Sequence, residues 1–118
     1  MNKTEGTKKI LQACAANPQK LADLTEYSND SIVSKTIIDK PAGTITLFAF
    51  DKGQSLSEHT APYDAVVEVV QGRVRLTIGG AEKEVCGGEI IIMPANVPHS
   101  VFAVERFKML LTMIRERT

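Results

Sequence analysis

The chain has 118 residues, of which 43% are hydrophobic, and its 14 basic and 14 acidic side chains leave no formal net charge at pH 7. A chain of this length is long enough for one compact domain and too short for two. Without net charge, the chain lacks the general attraction to phosphate backbones and anionic bilayers, so neither nucleic acid nor a membrane is an expected partner.

The N-terminal residues 1–30 are predicted to form a helical arm beside the main domain, which takes residues 31–118. Between Thr7 and Ala16, apolar side chains recur at helical spacing, which predicts a short amphipathic helix whose apolar face holds Ile10, Leu11, Cys14 and Ala15. Asn17 and Pro18 are suited to begin a further helical turn through Leu24.

The same N-terminal stretch lacks the apolar central run of a signal peptide, and no segment approaches the roughly 20 apolar residues that span a bilayer. We therefore expect a cytoplasmic protein. Cys14 and Cys86 match no metal-binding spacing, and in a reducing compartment they are expected to be two buried thiols rather than a disulfide.

From residue 31 onward, short apolar or alternating segments are separated by glycine and proline, which is typical of an all-β domain. Eight such segments are predicted strands: SIVSKTIID, GTITLFAFD, DAVVEVVQ, RVRLTIGG, EKEV, GEIIIM, HSVFAV and RFKMLLTMI. The last has apolar side chains on both faces, as in a strand that is covered on both sides. An open antiparallel sheet also leaves edges, so SIVSKTIID is expected to pair or pack against a second copy in a homodimer.

Three glycine-containing steps are predicted to be hairpin turns between antiparallel neighbours, because glycine tolerates positive φ. They are Gln71-Gly72, Gly79-Gly80 and Gly87-Gly88. In the segment MPANVPH, Asn96 is expected to adopt a left-handed conformation, and Pro98 favours an extended approach to His99 at the start of a strand.

Two stretches, GQSLSEHTAPYDAVVEVVQG and GGEIIIMPANVPHS, contain the two histidines of the chain, His59 and His99. Their spacing resembles the two sequence motifs of the cupin family. The motif residues that match are Gly53, His59 and Gly72 in the first stretch and Gly88, Pro94 and His99 in the second. The resemblance covers about residues 43–115 and implies a double-stranded β-helix, or jelly-roll, barrel with an interior pocket open at one end.

The resemblance fails at four motif positions. Ala61 stands where the family has a second histidine, Ala65 replaces the glutamate, Asn96 replaces a glycine and Ala103 replaces an asparagine. The family pattern then implies that two of four metal ligands are missing, which weakens metal binding by orders of magnitude. His59 and His99 remain as ligands for a weakly held Zn, Mn, Fe or Ni ion, and no cofactor is assigned firmly. Asp64 would need a local bulge to become a third ligand.

The sequence therefore favours a protein that binds a small organic molecule in a largely apolar barrel pocket, with His59 and His99 as polar anchors. The residues expected to complete the pocket are Ala61, Ala65, Tyr63, Met93 and Met109. One alternative is a metal-dependent cupin enzyme of the dioxygenase or isomerase class. Another is a structural dimer with a vestigial pocket, in which both imidazoles bond only to backbone or water. Catalysis is left open.

Overall fold

The computed structural model describes residues 9–115, which form two antiparallel sheets with a shared core. The first sheet has six strands in the order β1-β2-β3-β10-β5-β8, with the bounds β1 Lys9–Ile10, β2 Ile32–Lys40, β3 Gly43–Phe50, β5 Asp64–Gln71, β8 Ile90–Met93 and β10 Phe107–Ile114. The second has four in the order β4-β9-β6-β7, with the bounds β4 Ser55–His59, β6 Arg73–Ile78, β7 Ala81–Cys86 and β9 His99–Ala103.

The core fills the space between the two sheets because alternate residues of each strand point inward. On β10, Met109 and Phe107 are buried, and the Phe107 ring stacks on Phe50 of β3 with 4.6 Å between ring centroids. On the second sheet, Val74 and Leu76 of β6 are fully buried and belong to the same cluster. The all-β prediction is confirmed, and the inward side of β10 is core, as expected.

All eight predicted strands are present, and two further strands were not predicted. One is the two-residue β1, and the other is β4, which carries His59. The segment SLSEH of β4 has mostly polar side chains, so it lacks the alternation that would identify a strand.

The prediction of antiparallel neighbours is correct at only one of the three glycine steps. Gly79 and Gly80 join β6 to β7, which pair as a hairpin. In contrast, Gly72 connects β5 of the first sheet to β6 of the second, and the step at Gly87-Gly88 leads back from β7 to β8. A positive φ reverses the chain but does not select the partner strand. At Gly72 a Cβ would also lie 2.1 Å from the Arg106 carbonyl oxygen, which only glycine avoids.

The predicted N-terminal helix is wrong. Lys9 and Ile10 form β1 and pair with the edge of β2, and only two 3₁₀ turns follow, Gln12–Cys14 and Leu21–Leu24. A helix this short is marginal by itself, so pairing with a sheet edge competes effectively. Thr7, Lys8 and residues 116–118 lie outside the described residues. Within 9–115, no helix is long and apolar enough to cross a membrane.

The N-terminal arm lies against the outer face of the first sheet and is held there by β10. Lys108 Nζ donates to the carbonyl oxygens of Ala22, at 2.6 Å, and Thr25, at 2.7 Å, and lies 5.0 Å from the centre of the Tyr27 ring. Leu47 pairs in register with Leu110 on this outward face, yet it is fully buried. The arm therefore covers a part of the sheet that would otherwise be exposed to water.

The two cysteines are free thiols, as expected, but they are not both buried. Cys14 is partly buried and Cys86 is exposed. In β7, Val85 points into the core, so its neighbour Cys86 points to solvent by strand alternation. The prediction of a buried thiol is therefore wrong for Cys86.

Candidate functional site

His59 and His99 are brought together by the pairing of β4 with β9. The register places Leu56 opposite Val101 and His59 opposite His99, so three steps along β4 match two along β9. This irregularity is a β-bulge, and it turns both Leu56 and His59 toward the same side of the sheet. A bulge at a barrel rim thus places the first histidine against the second.

His99 is positioned by the turn that precedes β9. Asn96 has φ of 65° and donates its backbone N–H to the carbonyl oxygen of Ala61 at 2.8 Å. The strand then begins at His99, which pairs with Ile78 on its other side. The left-handed conformation predicted for Asn96 and the placement of His99 at a strand start are both present.

The two imidazole rings are in direct contact. Their Nε2 atoms are 3.1 Å apart, and the rings meet edge to face with 4.3 Å between centroids. His99 is only 6% exposed, whereas His59 is exposed. The pair therefore has one ring inside the barrel end and one ring at its mouth.

Backbone carbonyls determine which nitrogen of each ring carries a proton. Nδ1 of His59 lies 2.8 Å from the Ser57 carbonyl oxygen, and Nδ1 of His99 lies 3.1 Å from the Val97 carbonyl oxygen. A carbonyl oxygen only accepts, so each Nδ1 is the donor. In two neutral rings, both Nε2 lone pairs would then face each other. At 3.1 Å, this contact is a hydrogen bond only when one of the two Nε2 atoms carries a proton.

The donor set does not fit a tightly held metal. Within residues 9–115, no aspartate, glutamate or cysteine joins the two histidines in a cluster of three or more ligands. Asp64, considered above as a third ligand, is exposed, and its Oδ1 accepts the Ala95 backbone N–H at 2.9 Å. Two imidazoles alone supply half of the usual four ligands, so no chemical step is assigned to a metal here.

The residues expected to complete the pocket occupy several different environments. Ala65 and Met93 are cross-strand neighbours, and with Met109 they are buried in the packed core. Tyr63 instead lies in a surface groove of about 230 Å³, where the Arg115 guanidinium is 5.9 Å from its ring centre. Ala61 is half-buried in the connection between β4 and β5, so one extended register does not run from His59 to Ala65.

Two functional groups were missed by sequence reasoning, namely the carbonyls of Ser57 and Val97. Each lies two residues before the histidine that it orients. Backbone acceptors carry no side-chain signature, so only the shared spacing to the following histidine was available as a signal.

Comparison with known proteins supports the architecture. Residues 46–114, more than half of the chain, match the Cupin domain family. A solved protein of unknown function from Streptococcus pyogenes, SPY1581, is 34% identical with a TM-score of 0.83, and the match covers 87% of this chain and 90% of that one. A Cupin 2 conserved barrel domain protein from Leptotrichia buccalis is 41% identical with a TM-score of 0.77, over 80% of this chain and 46% of that one.

A curated relative, the uncharacterized protein SCO3923 from Streptomyces coelicolor, is 34% identical over 56 residues. The aligned part is 48% of this chain, and it spans about half of that protein, 53% of its length. The match to the domain family, the two-sheet barrel and the paired motif histidines agree with one another: the chain belongs to the cupin family.

Proposed function

We propose that the protein binds a small organic anion, such as a carboxylate, at the His59–His99 pair in the barrel mouth. The observation that carries this proposal is the Nε2–Nε2 contact of 3.1 Å between two rings whose Nδ1 atoms both face carbonyl oxygens. One added proton makes that contact a hydrogen bond, and the pair then carries one positive charge.

Charge balance supports an anion as the ligand. Among the described residues, no acidic side chain clusters with the two histidines, so the positive charge has no carboxylate partner at this site. His99 is almost buried, and a charge near a low-dielectric core attracts a counter-ion more strongly than the same charge in water. A carboxylate that reaches the exposed His59 would supply this counter-ion.

Packing supports a ligand at the mouth rather than deep in the barrel. Met109 is 2% exposed and Met93 is 4% exposed, so neither has surface left for a ligand in this conformation. His59, in contrast, is open to solvent. The organic part of the ligand would therefore lie outside the core, with its charged group toward the imidazoles.

Calorimetric titration of chelator-treated protein with acetate, succinate and benzoate tests the proposal. Binding is expected for at least one carboxylate, with little binding of the neutral analogues acetamide and benzamide. His59→Gln should weaken carboxylate binding at least about tenfold, because it removes a charged hydrogen-bond donor, and a hydrogen bond to a charged group contributes about 1.5–3 kcal/mol. Gln54→Ala is the matched control, since Gln54 pairs with β9 at Ala103, the far end from His99.

Equal carboxylate affinities in the natural protein and in His59→Gln would refute the anion site. A parallel titration with Zn²⁺ or Mn²⁺ distinguishes the metal alternative. If a carboxylate binds only after metal is added, the imidazole pair acts as a metal anchor instead of a protonated pair.

A further inference from the structure

An apolar cavity of about 360 Å³ lies between the N-terminal arm and the outer face of the first sheet. The sheet lines it with Ile37 of β2, Ile45 of β3 and Leu110 of β10, and the arm lines it with Leu21 and Leu24. Leu110 faces away from the core by strand alternation, because its neighbours on β10, Met109 and Leu111, pack in the core cluster. The cavity is therefore separate from the interior of the barrel.

The arm is held to the sheet on both sides of this cavity. At one end, the Leu11 backbone N–H donates to the Ile37 carbonyl oxygen at 2.8 Å. At the other end, Lys108 donates to the carbonyls of Ala22 and Thr25. Among residues 9–115, the backbone hydrogen bonds of the segment 12–21 all stay within the arm. This segment, the strap, therefore crosses the sheet face without a hydrogen-bonded ladder to draw it down, and the cavity lies beneath it.

The chemistry of the lining indicates an uncharged ligand. Among the described residues, the lining holds no charged side chain, and its polar groups are the thiol of Cys14 and the amides of Asn17 and Gln19. These amides each donate one N–H to the Ala13 carbonyl oxygen, at 3.4 Å and 2.9 Å, which leaves a second N–H and an oxygen on each. An ion would lose its hydration here without gaining a counter-ion. An apolar molecule with one hydroxyl group fits this lining.

The size of the cavity and the position of the strap indicate a small molecule rather than a segment of another protein. The volume of about 360 Å³ lies within the range of about 300–1,000 Å³ that is typical of small-molecule pockets. A helix or strand of a partner would need an open face along its whole length. The strap crosses the sheet face at this point, so such a face is not offered.

We propose that this cavity is a second binding site, which takes a small uncharged molecule with an apolar chain and one hydroxyl group, such as a medium-chain alcohol. The chain packs against Leu24, Ile45 and Leu110, which removes apolar surface from water. The hydroxyl group exchanges hydrogen bonds with the amides of Asn17 and Gln19. The histidine pair lies on the second sheet, on the other side of the core, so either proposal can fail without the other.

Alkylation of the two cysteines by N-ethylmaleimide, measured by mass spectrometry, tests the site in the natural protein. Cys14 lines the cavity, whereas Cys86 is exposed on β7 and is the internal control. At about ten times its dissociation constant, 1-octanol should slow the alkylation of Cys14 about tenfold and leave that of Cys86 unchanged. Octanoate has the same chain length but carries a charge, so it should protect Cys14 far less.

Two substitutions of equal chemistry test the location. Ile45→Phe should raise the octanol dissociation constant at least about tenfold, because the ring takes up space that the chain needs. Val66→Phe is the matched control and should bind octanol as the natural protein does. Val66 is also a half-buried, β-branched residue on the outer face of this sheet, but it does not line the cavity.

The alkylation rate of Cys14 without octanol, together with circular dichroism, verifies that the arm stays in place in each variant. If Ile45→Phe displaces the arm, Ile45→Thr keeps the β-branched shape and should weaken octanol binding about threefold, since apolar contact is lost.

The proposal is overturned if octanol gives Cys14 no saturable protection, or if it protects Cys86 equally. Unchanged octanol binding in the Ile45 variants also overturns it. His59→Gln should keep the protection of Cys14, and its loss in that variant would locate the octanol at the histidine pair instead.

Discussion

Lys108 and His99 are both polar side chains buried on strands, at 7% and 6% exposure, but they have different kinds of hydrogen-bond partners. Lys108 gives its ammonium protons to two carbonyl oxygens of the arm and faces an aromatic ring. His99 bonds to one carbonyl through Nδ1, and among residues 9–115 its Nε2 contacts the ring of the exposed His59 alone. A buried polar group whose hydrogen bonds all go to backbone carbonyls stabilises the fold. One whose last partner opens to solvent can accept a ligand.

The largest effect is expected from the double variant Ala61→His, Ala65→Glu, which introduces the two missing metal-ligand types at the motif positions. Ala65 is buried between Met93 and Met113, so a carboxylate there should lower the free energy of unfolding by about 4 kcal/mol without metal. Divalent metal should restore stability, because binding to the folded state adds to it.

Thermal melting with and without Zn²⁺, together with calorimetric metal affinity, checks this prediction. The variant should bind metal far more tightly than the natural chain, which has no third ligand among its described residues. A folded variant with unchanged metal affinity would show that positions 61 and 65 do not converge with the two histidines.

Lys108→Met should have the next largest effect, a loss of about 3 kcal/mol in the free energy of unfolding. The substitution keeps most of the side-chain volume, but it leaves the part-buried carbonyl of Ala22 and the buried carbonyl of Thr25 without their charged donor. Urea denaturation measures the loss. Lys35→Met, at an exposed site on β2, is the control and should change stability by less than about 0.5 kcal/mol. Equal stabilities for the two variants would mean that Lys108 does not anchor the arm.

Substitutions at the two histidines should lower the free energy of unfolding less than Lys108→Met does. The losses at the two histidines should differ from each other only slightly. His99→Gln is expected to cost about 1 kcal/mol, since one part-buried hydrogen bond to the Val97 carbonyl is altered. His59→Gln should leave the free energy of unfolding within about 0.5 kcal/mol, because His59 is exposed. Urea denaturation gives both values. A large loss of stability in His59→Gln would mean that the pair is structural, like Lys108.

The smallest effect concerns the exposed end of the arm, where the Arg106 guanidinium donates to Asp51 Oδ1 at 2.8 Å. That hydrogen bond, aided by the Asp30 backbone N–H, holds the pKa of Asp51 below its ordinary value of 3.8. The folded state therefore favours the carboxylate, and this contribution is present above the ordinary value and is lost as pH falls through the lowered pKa.

Melting temperatures from about pH 5 down to about pH 2 measure that contribution. Asp51→Asn should reduce the acid dependence of melting, whereas Glu82→Gln, at an exposed position of β7, should keep the natural profile. Identical profiles for Asp51→Asn and the natural protein would show that Arg106 does not stabilise the folded state through this carboxylate.

Much of the fold follows from local pattern, because alternation and backbone conformation are properties of short segments. Val67 and Val69 alternate with exposed or half-buried neighbours in β5, and Asn96 adopts the left-handed conformation expected of it. The sheet that each successive strand joins cannot be read from local pattern. Gly72 and Gly80 both have positive φ, yet one crosses between sheets and the other closes a hairpin. The difference lies in tertiary packing, where distant strands compete as partners.

The site was predictable to the level of its two histidines and no further. Motif spacing predicted that His59 and His99 belong to one site, and their rings are in contact. The bulge in β4 and the tautomers of both rings depend on backbone geometry, which leaves no trace in the side-chain pattern. Met109, expected to line the pocket, is 2% exposed in the core, because an apolar residue suited to line a pocket is equally suited to fill a core.

Each imidazole is oriented by the carbonyl two residues before it, that of Ser57 within β4 and that of Val97 in the turn that precedes β9. The orientation of the rings therefore depends on main-chain atoms. Substitutions at Ser57 or Val97 keep these carbonyls in place unless proline or glycine changes the backbone conformation. Side-chain substitutions at these two positions can change which groups surround the barrel mouth while the orientation of both imidazoles is kept. Substitution of the side chains around the barrel mouth therefore need not change how the two imidazoles face each other.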